Sequence, residues 1–197
     1  MSPRRVLLTA LGWCWLAAIA GAGENLAVDA SFESPLPAWF AEHSGTSYYA
    51  GKEEVGGAAD GRNVLAIEAW DKQGSRILSE PVSLAGQEAT APVVSATAAV
   101  RCRGKTDGAT FELALFDEKG QKKLASFGQL PLDGKTAWQT VAKSGVALDR
   151  SIAKCRLALV VRGAEQQGRV EVDCVGLFRG PSLGPCLLYT SPRPRDS

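Results

Sequence analysis

The chain has 197 residues, 45% of them hydrophobic and 22% charged, with 22 basic and 21 acidic side chains for a net charge of +1. Near-neutral, interspersed charge excludes the electrostatic footprint of a nucleic-acid binder. Setting aside Arg4, Arg5, Arg193 and Arg195 from the 22 bases and Asp196 from the 21 acids, all in terminal segments, leaves 18 and 20, a slight acidic excess on a length that suits one domain with a sizeable core.

The first segment has the pattern of an export signal. Arg4 and Arg5 make a positive start, Val6 to Ala20 are almost wholly apolar, and Ala20-Gly21-Ala22 fits the small-residue cleavage pattern. Residues 1–22 are therefore predicted to be a signal peptide cut after Ala22. An uncleaved anchor would need about 20 apolar residues, more than this run offers, and no stop-transfer charges follow. Export implies a secreted, periplasmic or extracellular location.

From Asn25 onward the pattern is β-type. Asp60-Gly61, Gln73-Gly74, Asp107-Gly108, Lys119-Gly120, Asp133-Gly134 and Gln167-Gly168 mark turns between short runs rich in Val, Leu, Phe and Thr. Strands are predicted at 25–33, 63–70, 75–84, 92–103, 109–117, 121–130, 137–147, 155–162 and 169–178. A helical fragment fits best near Asp149-Arg150-Ser151. The order and spacing predict an all-β fold, a two-sheet antiparallel β-sandwich.

Successive side chains in a strand face opposite sides, so the alternation sorts these runs. Phe111, Leu113 and Leu115 share one face; Cys155, Leu157, Leu159 and Val161 share another; Val94, Ala96, Ala98, Val100 and Cys102 a third. Opposite them stand Arg101, Glu112, Arg156, Arg162 and small residues, predicting a solvated, shallow polar groove. Cys102, Cys155 and Cys174 sit inside strand-like runs; buried thiols are expected, with one disulfide of any pairing as the alternative.

Beyond residue 180 the chain changes character. Cys186-Leu187-Leu188-Tyr189-Thr190-Ser191 resembles the translation of a transposon-end sequencing adapter, and Pro192 and Pro194-Arg195-Asp196 fit its continuation. Residues 181–197 are predicted to be a disordered tail, non-native from about 186, with the natural protein continuing past that point. An ordinary Pro/Arg-rich tail is the alternative.

The order of motifs resembles the galactose-binding-like jelly-roll domain of secreted carbohydrate-binding modules. Asn25-Leu26 with Ser31-Phe32-Glu33 and then Trp39 open the match, and Gly61 to Ile67 supply a Gly-rich segment before an apolar strand. Ala98-Ala99-Val100-Arg101, Trp138-Gln139-Thr140-Val141 and the closing Val170-Glu171-Val172-Asp173-Cys174-Val175-Gly176-Leu177 complete it, covering Asn25 to Phe178. Asp29-Ala30 and Cys174 depart from the family pattern, which has Asn-Gly and a second Asp there. The resemblance implies residues 23–180 as one jelly-roll domain that binds a polysaccharide or glycoconjugate on a concave sheet face or its edge loops, without catalysis. It also implies a structural calcium held by Glu33 and Asp173 with carbonyls from the Gly51-to-Gly57 loop.

Sugar rings need aromatic platforms beside hydrogen-bonding groups. Tyr48, Tyr49 and Trp70 are the candidate stacking residues, while Trp39 and Trp138 match structural positions and are expected in the core. Arg101, Glu112 and Arg156 are the candidate polar contacts, suited to an acidic or heavily hydroxylated glycan; cross-strand ion pairing is the alternative. A structural or protein-interaction sandwich without a glycan site is the rival reading, and a polysaccharide lyase or hydrolase the third. His43 has no nucleophile elbow to serve, and Glu53-Glu54 and Asp117-Glu118 are adjacent acids in turns, not acids facing each other across a cleft.

Overall fold

The computed structural model describes residues 24–27, 29–33, 38–42, 46–52, 57–59, 61–69, 74–84, 92–106, 108–132, 136–163 and 167–183. The predicted signal segment, His43, Glu53, Glu54, Trp70 and the chain beyond Leu183 lie outside them.

The described residues form strands β1 (Trp39–Ala41), β2 (Ser47–Lys52), β3 (Asn63–Ala69), β4 (Ser75–Ser79), β5 (Val82–Ser83), β6 (Val93–Lys105), β7 (Thr110–Asp117), β8 (Lys123–Pro131), β9 (Gln139–Ala147), β10 (Lys154–Arg162) and β11 (Gln167–Arg179). One sheet has the order β2-β3-β11-β6-β9; the other runs β1-β4-β10-β7-β8, with β5 also on β10. Every pairing is antiparallel. This is a jelly-roll β-sandwich.

Its core follows from the alternation. Leu65, Ile67, Val94, Ala96, Ala98, Val100, Val170 and Val172 project from the first sheet, and Ile77, Phe111, Leu113, Leu115, Leu157, Leu159 and Val161 meet them from the second. Each large aliphatic or aromatic side chain buried this fully stabilises the fold by about 1.5–3 kcal/mol. Trp39 is also in this core, its ring tilted against Phe32 at 5.8 Å between centroids.

Several expectations are corrected. The 25–33 run is not a strand: it makes one bridge, Asn25 to Phe178, and then turns, with Asp29 at φ 50° and Phe32 at φ 56°. Those left-handed residues break extension. The Asn25 side chain replaces a ladder, accepting from Ala27 N (3.0 Å) and Leu177 N (2.9 Å) and donating to Val175 O (3.0 Å). The 75–84 run divides into β4 and β5 around Pro81, which has no N–H to give a ladder. The Asp149 segment is a turn: its carboxylate accepts from Ser151 N at 2.8 Å and Ser151 Oγ at 2.7 Å. Strands β1 and β2 were not predicted. Cys102, Cys155 and Cys174 carry buried thiols, and burial pushes the Cys155 thiol up to about 12.

Candidate functional site

The candidate polar contacts do not share a face. Arg101 lies on β6 in the five-stranded sheet, whereas Glu112 and Arg156 lie on β7 and β10 in the six-stranded one. Periodicity assigns a side of a strand but not a sheet, which is why these three read as one groove. Tyr48 turns toward the core and donates its hydroxyl to Trp39 O at 2.9 Å. Tyr49 points the other way and is 41% exposed.

The outer face of the six-stranded sheet is apolar at its centre rather than solvated. Leu78, Ala114, Phe116, Ala158 and Val160 form a second buried cluster there, distinct from the interior core. One cross-strand row runs Phe40, Leu78, Ala158, Ala114, Ser126 through all five consecutive strands. At a strand spacing near 4.8 Å this row spans about 19 Å. Its middle positions are alanines, so larger flanking rows rise on both sides. Arg76, Val160, Glu112 and Gln129 make one flank; Arg156, Phe116 and Lys123 make the other.

Long cationic side chains cross this row. Arg76 stacks on the Phe116 ring at 4.7 Å, donates to Gly120 O at 3.1 Å and pairs with Glu42. From the Phe116 flank, Lys123 reaches across to Glu112, which also accepts from Ser126 Oγ (2.7 Å) and Arg162 Nη1 (2.8 Å). Burial pushes the Glu112 carboxyl up, but Lys123, Ser126 and Arg162 outweigh it and hold the group below its ordinary 4.5. At one end the β7–β8 turn folds toward the face, and Arg156 fastens it by donating to Glu118 O (2.7 Å) and Ser79 O (2.8 Å). The turn is set by the Asp117 carboxylate, which accepts from Gln121 N and Lys122 N at 2.7 and 3.1 Å and is held below its usual range, chiefly by the Lys122 bond. Phe40 stands at the opposite edge, 44% exposed. Chemically, the face offers an apolar floor beneath charged hydrogen-bonding groups, with one exposed aromatic ring.

The outer face of the five-stranded sheet carries a buried carboxylate ringed by arginines. Glu171 is fully buried and meets Arg101 Nε, Arg103 Nε (3.2 Å) and Arg169 Nε (2.9 Å). The Arg101 guanidinium lies 4.4 Å from the Trp138 ring, and Arg169 lies 5.3 Å from Tyr49. Trp138 is thus half-buried on an outer face, not in the core as expected. Arg101 is 3% exposed, held between Glu171 and the Trp138 ring. Glu171 was hidden inside the closing motif; its only signal was a carboxylate directly before the core residue Val172.

Phe40, Arg76, Lys123 and Arg162 escaped selection as site residues. Phe40 belongs to the unpredicted β1; Arg76 and Lys123 sit near the starts of predicted runs, close to turns, where no alternation singles them out. Arg162 was visible in the β10 alternation beside Arg156.

The two implied calcium ligands hold backbone donors. Glu33 Oε1 accepts from Arg62 N (2.6 Å) and Asn63 N (2.7 Å), and buried Asp173 accepts from Cys174 N at 2.6 Å. Among the described residues no three His, Cys, Asp or Glu side chains converge. A calcium ion there would draw most of its roughly six to eight oxygens from carbonyls, and residues 53–56 of the nominated loop lie outside the described residues.

No family model matches the sequence, and no curated protein matches it. Solved structures do match. The arabinose-bound α-L-arabinofuranosidase MgGH51 aligns with a TM-score of 0.59 at 15% identity over 82% of this chain, which spans only 27% of that enzyme. The module TmCBM61, solved in complex with β-1,4-galactotriose, aligns at 0.54 and 15% identity over 79% of this chain and 99% of its own. The C-terminal family 22 carbohydrate binding module of Clostridium thermocellum Xyn10B aligns at 0.58 and 12% identity, covering 83% and 98%. The chain therefore has the jelly-roll fold of carbohydrate-binding modules, nearly end to end with the isolated modules.

Proposed function

We propose that this chain is an exported, non-catalytic carbohydrate-binding or accessory module, and that its glycan lies along the outer face of the six-stranded sheet. The observation that carries the proposal is the row from Phe40 to Ser126: an apolar cluster on the outward side of a sheet, rimmed by charged donors and ending in an exposed ring. Sugars present hydroxyl rims and C–H faces; the charged donors suit the rims and exposed Phe40 suits a C–H face, while the buried apolar floor holds those donors in place. The match to whole binding modules supports the reading at the level of fold, which does not by itself confer function.

A structural or protein-interaction sandwich is favoured by one observation: Arg156 spends its contacts on carbonyls of the domain itself. Affinity electrophoresis against immobilised polysaccharides separates the two. The glycan reading expects retention that Phe40→Ala weakens and Tyr49→Ala, on the opposite sheet, leaves unchanged. Absence of retention on every polysaccharide, or equal loss in both variants, rejects the proposed face.

A further inference from the structure

We infer that the ligand of this face is an anionic polysaccharide bearing uronate carboxylates, an inference that rests on the glycan reading above. Among the described residues, the side chains on and beside the face include five cations, Arg76, Lys123, Lys154, Arg156 and Arg162, against three carboxylates, Glu42, Glu112 and Glu118. The pairing is uneven. Arg162 and Lys123 share the single carboxylate of Glu112, and Arg156 meets carbonyl oxygens only. Arg162 and Lys123 remain 43% and 39% exposed at their side chains, so both present charge to solvent while anchored from below.

The same face is poor in what a neutral sugar wants. Its central row carries alanines where a stacking platform would sit, and Phe116 is covered by Arg76. What a ligand meets first is cationic. A carboxylate suits such a surface because guanidinium groups bind it with a planar fork, at higher strength than a neutral hydroxyl. The Arg162 stem is also given a defined path: a Cβ added at Gly74, whose φ is 107°, would stand 2.7 Å from Arg162 Cγ. A side chain at 74 would therefore displace the arginine.

The test pairs acidic polymers with their own neutral forms. Polygalacturonate, alginate and glucuronoxylan are each titrated into the intact protein by calorimetry, beside the carboxyl-reduced polymer of the same backbone. The expected result is that at least one acidic polymer binds about tenfold or more tighter than its reduced form. That preference should shrink as ionic strength rises from about 0.01 M to 0.15 M and the Debye length falls from about 30 to 8 Å. Arg162→Gln with Lys123→Gln should abolish the preference, Arg162→Lys should retain part of it, and Arg169→Gln on the other sheet should leave it intact. If the double variant fails to fold, the comparison of acidic with reduced polymer on the unaltered protein still decides. Equal binding of both forms, or preference for the reduced form, overturns the anionic inference while the glycan reading stands. Binding of neither form in any pair overturns the anionic inference, and overturns the glycan reading too when retention is absent on every polysaccharide.

Discussion

Replacing Glu171 with Gln tests whether the five-stranded face is a structural knot rather than a second ligand surface. The carboxylate is fully buried and meets three guanidinium groups, of which Arg101 is itself 3% exposed. Breaking a buried ion pair from one side typically costs about 3–5 kcal/mol, because the remaining charge loses its counter-ion in a low-dielectric setting. Arg101 keeps the Trp138 ring at 4.4 Å, so the lower end, about 3 kcal/mol, is expected. For a domain of this size that corresponds to a fall of about 6–12 °C in Tm. Urea and thermal unfolding measure the loss, and polysaccharide retention of the folded variant should be unchanged. Glu171→Leu combined with Arg101→Met should recover part of the stability, since apolar replacement of the two buried members removes their desolvation cost, while Arg103 and Arg169, 28% and 27% exposed at their side chains, can turn to solvent. A loss below about 1 kcal/mol, against the 3–5 typical of such pairs, refutes the structural reasoning. Unchanged stability with lost retention would move the binding surface to this sheet.

Acid should weaken the opposite face in a defined window. Because the Glu112 carboxyl is held below 4.5 in the fold, its contribution is fully present above that value and is lost as pH falls through the lower folded pKa; the difference in Tm between the wild type and Glu112→Gln should therefore narrow below pH 4.5. Gly163→Ala should cost about 2–4 kcal/mol by combining backbone strain with a clash: φ there is 136° and the new Cβ would lie 2.5 Å from Ala109 Cα. A Tm within error of the wild type would contradict it. If calcium ties Glu33 to Asp173, a chelator should lower the melting temperature; an unchanged melt with no metal in the purified protein rejects that site.

The strands β3, β4, β6, β7, β10 and β11 were legible because one of their sides is packed and alternation records it. Phe111, Leu113 and Leu115, or Leu157, Leu159 and Val161, can face only a core. What alternation cannot record is which sheet a strand joins, and so Arg101 was grouped with Glu112 and Arg156. The second apolar cluster was missed for a related reason: Ala114, Ala158 and Val160 read as small surface residues, and their cover comes from side chains on other strands. The opening phrase was misread because Asn25 satisfies backbone groups with its side chain, a substitution for a ladder that leaves no periodic trace. Cys174 likewise hides a bulge: its φ of 51° lies where the register between β11 and β6 shifts, a conformation that Asp or Asn adopts more readily.

The position of β11 has a kinetic consequence. Among the described residues it is the last strand in sequence yet the middle one of its sheet, lying between β3 and β6. Until it arrives, β2 with β3 and β6 with β9 are two separate ribbons, each with an open edge where β11 belongs. The Asn25 contacts to Val175 and Leu177 then close over separations of 150 and 152 residues. Loop closure of that length precedes the contacts that stabilise it, so the final strand should govern the folding rate. A chain still emerging from a ribosome cannot complete this sheet until Phe178 is free, and its exposed ribbon edges are the hazard that a chaperone would have to cover.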